Sequence, residues 1–96
     1  MAGLSFVQDG KRWLSGAFSP TKSNIEVAVE FANEGGGHVG VHRSADGVEF
    51  TQFESDTVGN TCKNTRRLVW NISGFVPGGF LRLCSTAEVA SCTWRE

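Results

Sequence analysis

Apolar and polar residues alternate along most of this chain. The clearest run is Ile25-Glu26-Val27-Ala28-Val29-Glu30-Phe31, which sets Ile25, Val27, Val29 and Phe31 on one side and Glu26, Ala28 and Glu30 on the other. Strand side chains point alternately to two faces, so this spacing predicts a half-buried strand. A helix would bring Glu26 and Glu30 together but would scatter three β-branched residues around its barrel, and such residues favour the pleated backbone.

Other segments follow the same period. Phe6-Val7 and Arg12-Trp13-Leu14 read as short strands. Val39 and Val41 alternate with Gly40 and His42, and Val48 and Phe50 alternate with Glu49 and Thr51. Leu68, Trp70 and Ile72 share a face that marks Trp70 as core, and Phe80-Leu81-Arg82-Leu83 and a run ending at Trp94 complete the set. No window has helical spacing. The polar stretch 55–66, SDTVGNTCKNTR, reads as the longest loop, and Pro20 and Pro77 fall in loops, where a missing N–H does no harm. About seven or eight short strands, with a turn signal roughly every ten residues, predict one domain over 1–96: an all-β, antiparallel β-sandwich of jelly-roll or Ig-like type.

Composition narrows the function. Nine basic residues stand against ten acidic ones, a net charge of −1, and the basic doublets are Lys11-Arg12 and Arg66-Arg67. Nucleic-acid binders need a basic face to neutralise phosphates, so no nucleic-acid partner is expected. The N-terminus, MAGLSFVQDG, lacks the basic and apolar regions of a secretory signal, and no stretch approaches a membrane span. The expectation is synthesis in the cytoplasm without secretion and without a membrane partner. Cysteines number three, at 62, 84 and 92, with no Cys-x-x-Cys. Reduced thiols filling small packing sites and a Cys84–Cys92 bridge across a hairpin both stay open at this point.

The stretch HRSADGVEF, residues 42–50, crowds His42, Arg43, Asp46 and Glu49 around Gly47. Asp-Gly between alternating apolar runs signals a hairpin corner, pairing Val39 and Val41 with Val48 and Phe50. His38 and His42 then point to one side, the solvent face, but ~13 Å of strand separates them, too far for one metal ion. Neither a triad of His42, Asp46 and Ser44 or Ser55 nor a Glu49–Glu54 pair comes with a recognisable nucleophile turn or cleft. Gly35-Gly36-Gly37 leads into a strand and not a helix, so it reads as a flexible interstrand loop and not as a phosphate cradle. No catalytic residue, cofactor or metal is expected. Trp13 and Trp94, near the chain ends, are the aromatic rings most open to an interface or a ligand.

HVGVHRSADGVEFTQFES resembles a pattern in bacterial and phage β-sandwich modules, in which a strand leads into Ser-x-Asp-Gly-x-x-Phe; Ser44, Asp46, Gly47 and Phe50 fill it. SGFVPGGFLRL is similar to a turn and strand that such modules carry late in the chain, with Gly74, Pro77, Gly78, Leu81, Arg82 and Leu83 matching. Discoidin-like and other carbohydrate-associated sandwiches have similar corners, as do phage head-decoration and fibre proteins. The resemblance implies a non-catalytic structural and assembly protein, a virion component such as a capsid-decoration, head-fibre or tail-associated protein. Its expected partners are further copies of itself, with a trimer favoured, and other virion or surface proteins. Candidate interface or ligand contacts are Phe6, Trp13, His42 and Trp94. The alternative is a carbohydrate-binding or adhesion module, extracellular as part of a longer protein, with Trp13, Trp94 and His42 against a glycan.

Overall fold

The computed structural model describes residues 2–33, 37–53, 60–62 and 66–96, which are all-β with no helix. The strands are β1 (Ala2–Gly3), β2 (Phe6–Asp9), β3 (Arg12–Ser15), β4 (Ile25–Phe31), β5 (Gly37–Ser44), β6 (Thr51–Gln52), β7 (Asn60–Cys62), β8 (Arg67–Ile72), β9 (Phe80–Ser85) and β10 (Val89–Arg95). They form two antiparallel sheets. One runs β1-β10-β4-β8; the other runs β2-β3-β9-β5-β6, with β7 also pairing β5. Pairs β1–β10, β3–β9, β4–β8 and β5–β6 nest inside one another in chain order.

The alternation in 25–31 behaves as the pattern predicts. Ile25, Val27, Val29 and Phe31 are buried, while Glu26, Ala28 and Glu30 are half-exposed on the other face. Val39, Val41, Leu81 and Leu83 of the second sheet close over them, and Phe18, Phe53, Ile72, Phe75 and Cys92 complete a shared core. Fully burying a side chain of this kind contributes about 1.5–3 kcal/mol, which makes the contact between sheets the main source of stability. The Cα radius of gyration is 12.3 Å, close to the ~13 Å of a compact globule of this length. Leu68 and Ile72 of β8 face the same core, whereas the side chain of Trp70 lies outside the described residues.

Two irregularities shape the second sheet. β3 pairs Leu14 with Cys84, then Phe18 bridges Leu81, so the chain slips by one residue between them. The buried Ser15 hydroxyl fills the slip: its Oγ accepts the Leu83 N–H at 2.8 Å, where a carbonyl would otherwise be, and donates to Gly16 O. The second lies on the outer edge of β5. His42 faces Gln52 and Val39 faces Asn60, so three steps along β5 match eight along its partner. β6 and β7 are thus one edge strand interrupted by five extra residues.

Three expectations change here. The 55–66 stretch is not loop throughout, because residues 60–62 pair with β5. The Asp46-Gly47 corner does not pair Val48 and Phe50 with β5 as expected: β5 ends at Ser44, pairing resumes only at Thr51, and Val48 is 79% exposed. Gly37 is no flexible linker. It opens β5 beneath Phe31, and a Cβ there would lie 2.6 Å from the ring, so only glycine lets the strand approach; Gly35 and Gly36 lie outside the described residues. Cys84 and Cys92 are both free thiols, since Cys84 sits on the outer side of β9 opposite Gly40 while Cys92 points into the core from the other sheet. The side chain of Cys62 lies outside the described residues.

Candidate functional site: a cleft at one end of the roll

The HRSADGVEF segment walls a cleft of about 630 Å³ at one end of the two sheets. Its other wall is the 75–79 segment; Phe53 and Phe75 lie at its base, and Arg43, Glu49, Thr51, Val76 and Pro77 line it. The two rings are buried and meet edge to face, with centroids 6.4 Å apart. Arg43 leans over Phe53, its Cζ 5.7 Å from the ring centre, a cation–π arrangement at the mouth. Val76 in the lining is 74% exposed, and Val48, in the loop that contributes Asp46 and Glu49 to the cleft, is 79% exposed.

Ser44 and Asp46 hold the 45–49 loop in shape. Ser44 Oγ accepts the N–H groups of Asp46 and Gly47 and donates to Asp46 Oδ1 at 2.8 Å. Asp46 Oδ1 also accepts the N–H groups of Val48 and Glu49, at 2.8 and 3.0 Å. Gly47, at φ +81°, takes the left-handed conformation that lets the chain turn under Asp46. These backbone N–H bonds, with Ser44 adding to them, hold the Asp46 carboxyl down at about 2, so it is an anion occupied in shaping the loop.

The four residues marked from sequence do not converge. Phe6 packs half-buried against the core margin from β2. Trp13, half-buried on β3, stands opposite the buried Ser85 on the core side of its sheet. Trp94 packs against the core and rests on Phe18, ring centroids 4.9 Å apart. His42 lies on the outer face of β5 and is not simply solvent-facing: its Nδ1 is 3.1 Å from Arg82 Nη2, and burial, followed by the charges of Arg82 and Arg12, lowers its pKa. His38 is exposed. No three His, Cys, Asp or Glu side chains gather among the described residues.

The grouping of His42, Asp46 and Ser44 contains no serine–histidine contact, because the Ser44 hydroxyl donates its hydrogen bond to Asp46 while His42 bonds Arg82. Ser55 and Glu54 lie outside the described residues. What the cleft offers is an apolar floor with one cation, Arg43, and two carboxylates, Asp46 and Glu49, in its lining, a surface suited to an apolar group. Sequence reading missed Arg43, Phe53, Phe75 and Val76. Their signal was only that Phe75-Val76 stands between two strands, where an apolar pair has no strand face to bury.

Among the described residues no helix is long and apolar enough to cross a membrane. In comparisons with known proteins the chain matches no family model, no curated protein and no solved structure.

Proposed function

We propose that this protein is a non-catalytic assembly module of jelly-roll type, a virion component such as a phage capsid-decoration, head-fibre or tail-associated protein, which self-associates and docks other virion or surface proteins through the end cleft. The nested strand pairs support the jelly-roll type, because a rolled hairpin split over two sheets is its defining winding, and such rolls recur in capsid and lectin domains. Fold alone carries no function, so the proposal rests on the cleft.

The observation that carries it is the apolar cleft floor of Phe53 and Phe75 with the exposed Val76 in its lining, beside a 45–49 loop that contributes Asp46 and Glu49 to the cleft and carries the exposed Val48. An apolar surface left in water at one end, rimmed by Arg43, Asp46 and Glu49, has the make-up of a protein interface with an anchor pocket. The carbohydrate-binding alternative draws less from the structure. Trp94 lies on Phe18, Trp13 stands on the core side of its sheet opposite the buried Ser85, and His42 is on the outer face tied to Arg82, so these three share no common face for a sugar ring.

The test is native mass measured over a concentration series for the wild type and for Val48→Asp combined with Val76→Asp. A trimer or other closed assembly that the double variant dissociates is the expected result. A wild type that stays monomeric at millimolar concentration, and that gives a glycan-array signal the double variant retains, would replace this proposal with the alternative.

A further inference from the structure

A second surface, on the outer face of the β2-β3-β9-β5-β6 sheet and independent of the cleft, gathers His42, Arg82 and Arg12. Arg82 stands directly opposite His42 across β9 and β5, with its Cζ 4.3 Å from the centre of the Phe50 ring. Arginine has only donors, so His42 Nδ1 is the acceptor of the 3.1 Å contact, and the ring is neutral with its proton on Nε2. Arg82 Nε is buried and has no hydrogen-bond partner among the described residues.

Nε–H and one Nη–H of a guanidinium form a parallel fork, spaced for two oxygens of a single carboxylate, phosphate or sulfate. One imidazole nitrogen satisfies a single prong. A second guanidinium, Arg12 on β3, is near enough for its charge to reach His42. Gly40 places no side chain beside them, and a Cβ added there meets nothing within 4 Å, so the face is open next to His42.

Among the described residues, the charged and titratable groups on this side besides His42 are Arg82 and Cys84 from β9, Arg12 from β3, Asp9 from β2 at 3.5 Å from Arg12, and the exposed His38 from β5 itself; β6 contributes the uncharged Gln52. Asp46 and Glu49 turn instead to the cleft. Among the described residues, two guanidiniums and two imidazoles thus share this side with one carboxylate, that of Asp9.

We propose that this patch is an oxyanion site, in which the Arg82 fork and Arg12 take the phosphate or sulfate group of a free ion or of an ester while His42, turned off Arg82 and protonated, donates to a further oxygen. In the free protein, burial and the two guanidiniums keep His42 below its ordinary value of 6.5. A bound anion offsets the field of the two guanidiniums and draws a proton onto His42, so binding tightens as pH falls.

The experiment is an NMR titration of the His42 and His38 rings in the full chain, in sodium sulfate and in glucose 6-sulfate, each matched in ionic strength to sodium chloride because salt alone screens these charges. Sulfate is expected to raise the His42 midpoint by ~1 pH unit, to move His38 less, and to lose most of its effect in Arg82→Gln and in Arg12→Gln. A response to both probes assigns the group itself as sufficient; a response to glucose 6-sulfate alone assigns an ester on a sugar. Equal His42 midpoints in both probes and in chloride would overturn the proposal, as would an undiminished rise in the variants. Should Arg82→Gln not fold, Arg12→Gln decides, since that side chain is 50% exposed and lies at the sheet margin.

Discussion

Two glycines three residues apart on β5 should respond oppositely to the same methyl group. At Gly37 an added Cβ lies 2.6 Å from Phe31 Cε1, 2.9 Å from Phe31 Cζ and 3.1 Å from Ala87 Cβ. Carbon atoms prefer ~3.5–4.0 Å, so the overlap with the ring approaches ~1 Å. Phe31 is fully buried within the shared core and cannot step aside without disturbing its neighbours. Overpacking of this kind costs about 1–3 kcal/mol, a fall in melting temperature of roughly 4–20 °C for a domain of this size. At Gly40 a Cβ meets nothing, and alanine there should be neutral or stabilise by about 0.4–1 kcal/mol by restricting the unfolded chain. Urea unfolding followed by tryptophan fluorescence measures both, as shifts in midpoint at common slope. A third variant isolates the cause. Phe31→Leu shortens the offending side chain, so in the Gly37→Ala background it should cost less than it does alone, a coupling of about 0.5–3 kcal/mol. Gly37→Ala within ~0.5 kcal/mol of wild type, or strictly additive with Phe31→Leu, would refute the packing of β5 beneath Phe31.

Three further outcomes follow from single side chains. Ser15→Ala removes the hydroxyl that receives the Leu83 N–H and should cost about 1–3 kcal/mol in the same assay, the penalty for leaving a buried donor unpaired; a loss below ~0.5 would contradict the side-chain-filled slip between β3 and β9. Asp46 has a folded-state pKa of about 2 against an ordinary 3.8, so its contribution to stability is complete above 3.8 and disappears as pH falls through about 2. Asp46→Ala lacks that component, and melting curves of variant and wild type should converge between pH 4 and pH 2; a gap independent of pH would mean that the carboxylate does not hold the loop. Burial pushes the Cys92 thiol up to about 12, so iodoacetamide at pH 8 should label Cys84 before Cys92 in the native protein, as read by peptide mass mapping. Earlier labelling of Cys92 would place it outside the core.

Strand identity was legible because it is a local property. The alternation of Ile25, Val27, Val29 and Phe31 needs only a pleat and one buried face, and β4 has both. The turn at Asp46-Gly47 was legible in place but not in length. Its glycine has the positive φ that the dipeptide suggests, yet Asp46 bonds forward to Val48 and Glu49, so the loop lengthens and the strand resumes three residues after Val48. The cysteines show the limit of spacing: eight residues separate Cys84 from Cys92, but the chain changes sheets between them.

Both candidate sites belong to the tertiary structure. Phe53 meets Phe75, and Arg82 meets His42 forty residues away, only because the two sheets bring distant parts of the chain together, with β5 beside β9. A residue's two-fold period states which face it takes within its own strand; it carries no information about which strand lies beside it or which sheet covers it. Sequence by itself therefore determined the all-β class, most of the strands and the inward face where alternation is sustained, as in β4 and at Val39 and Val41 of β5. Register, the interruption between β6 and β7, the close approach at Gly37, the cleft and the Arg82–His42 contact were decided by the packing of two sheets, which depends on contacts that no local pattern encodes.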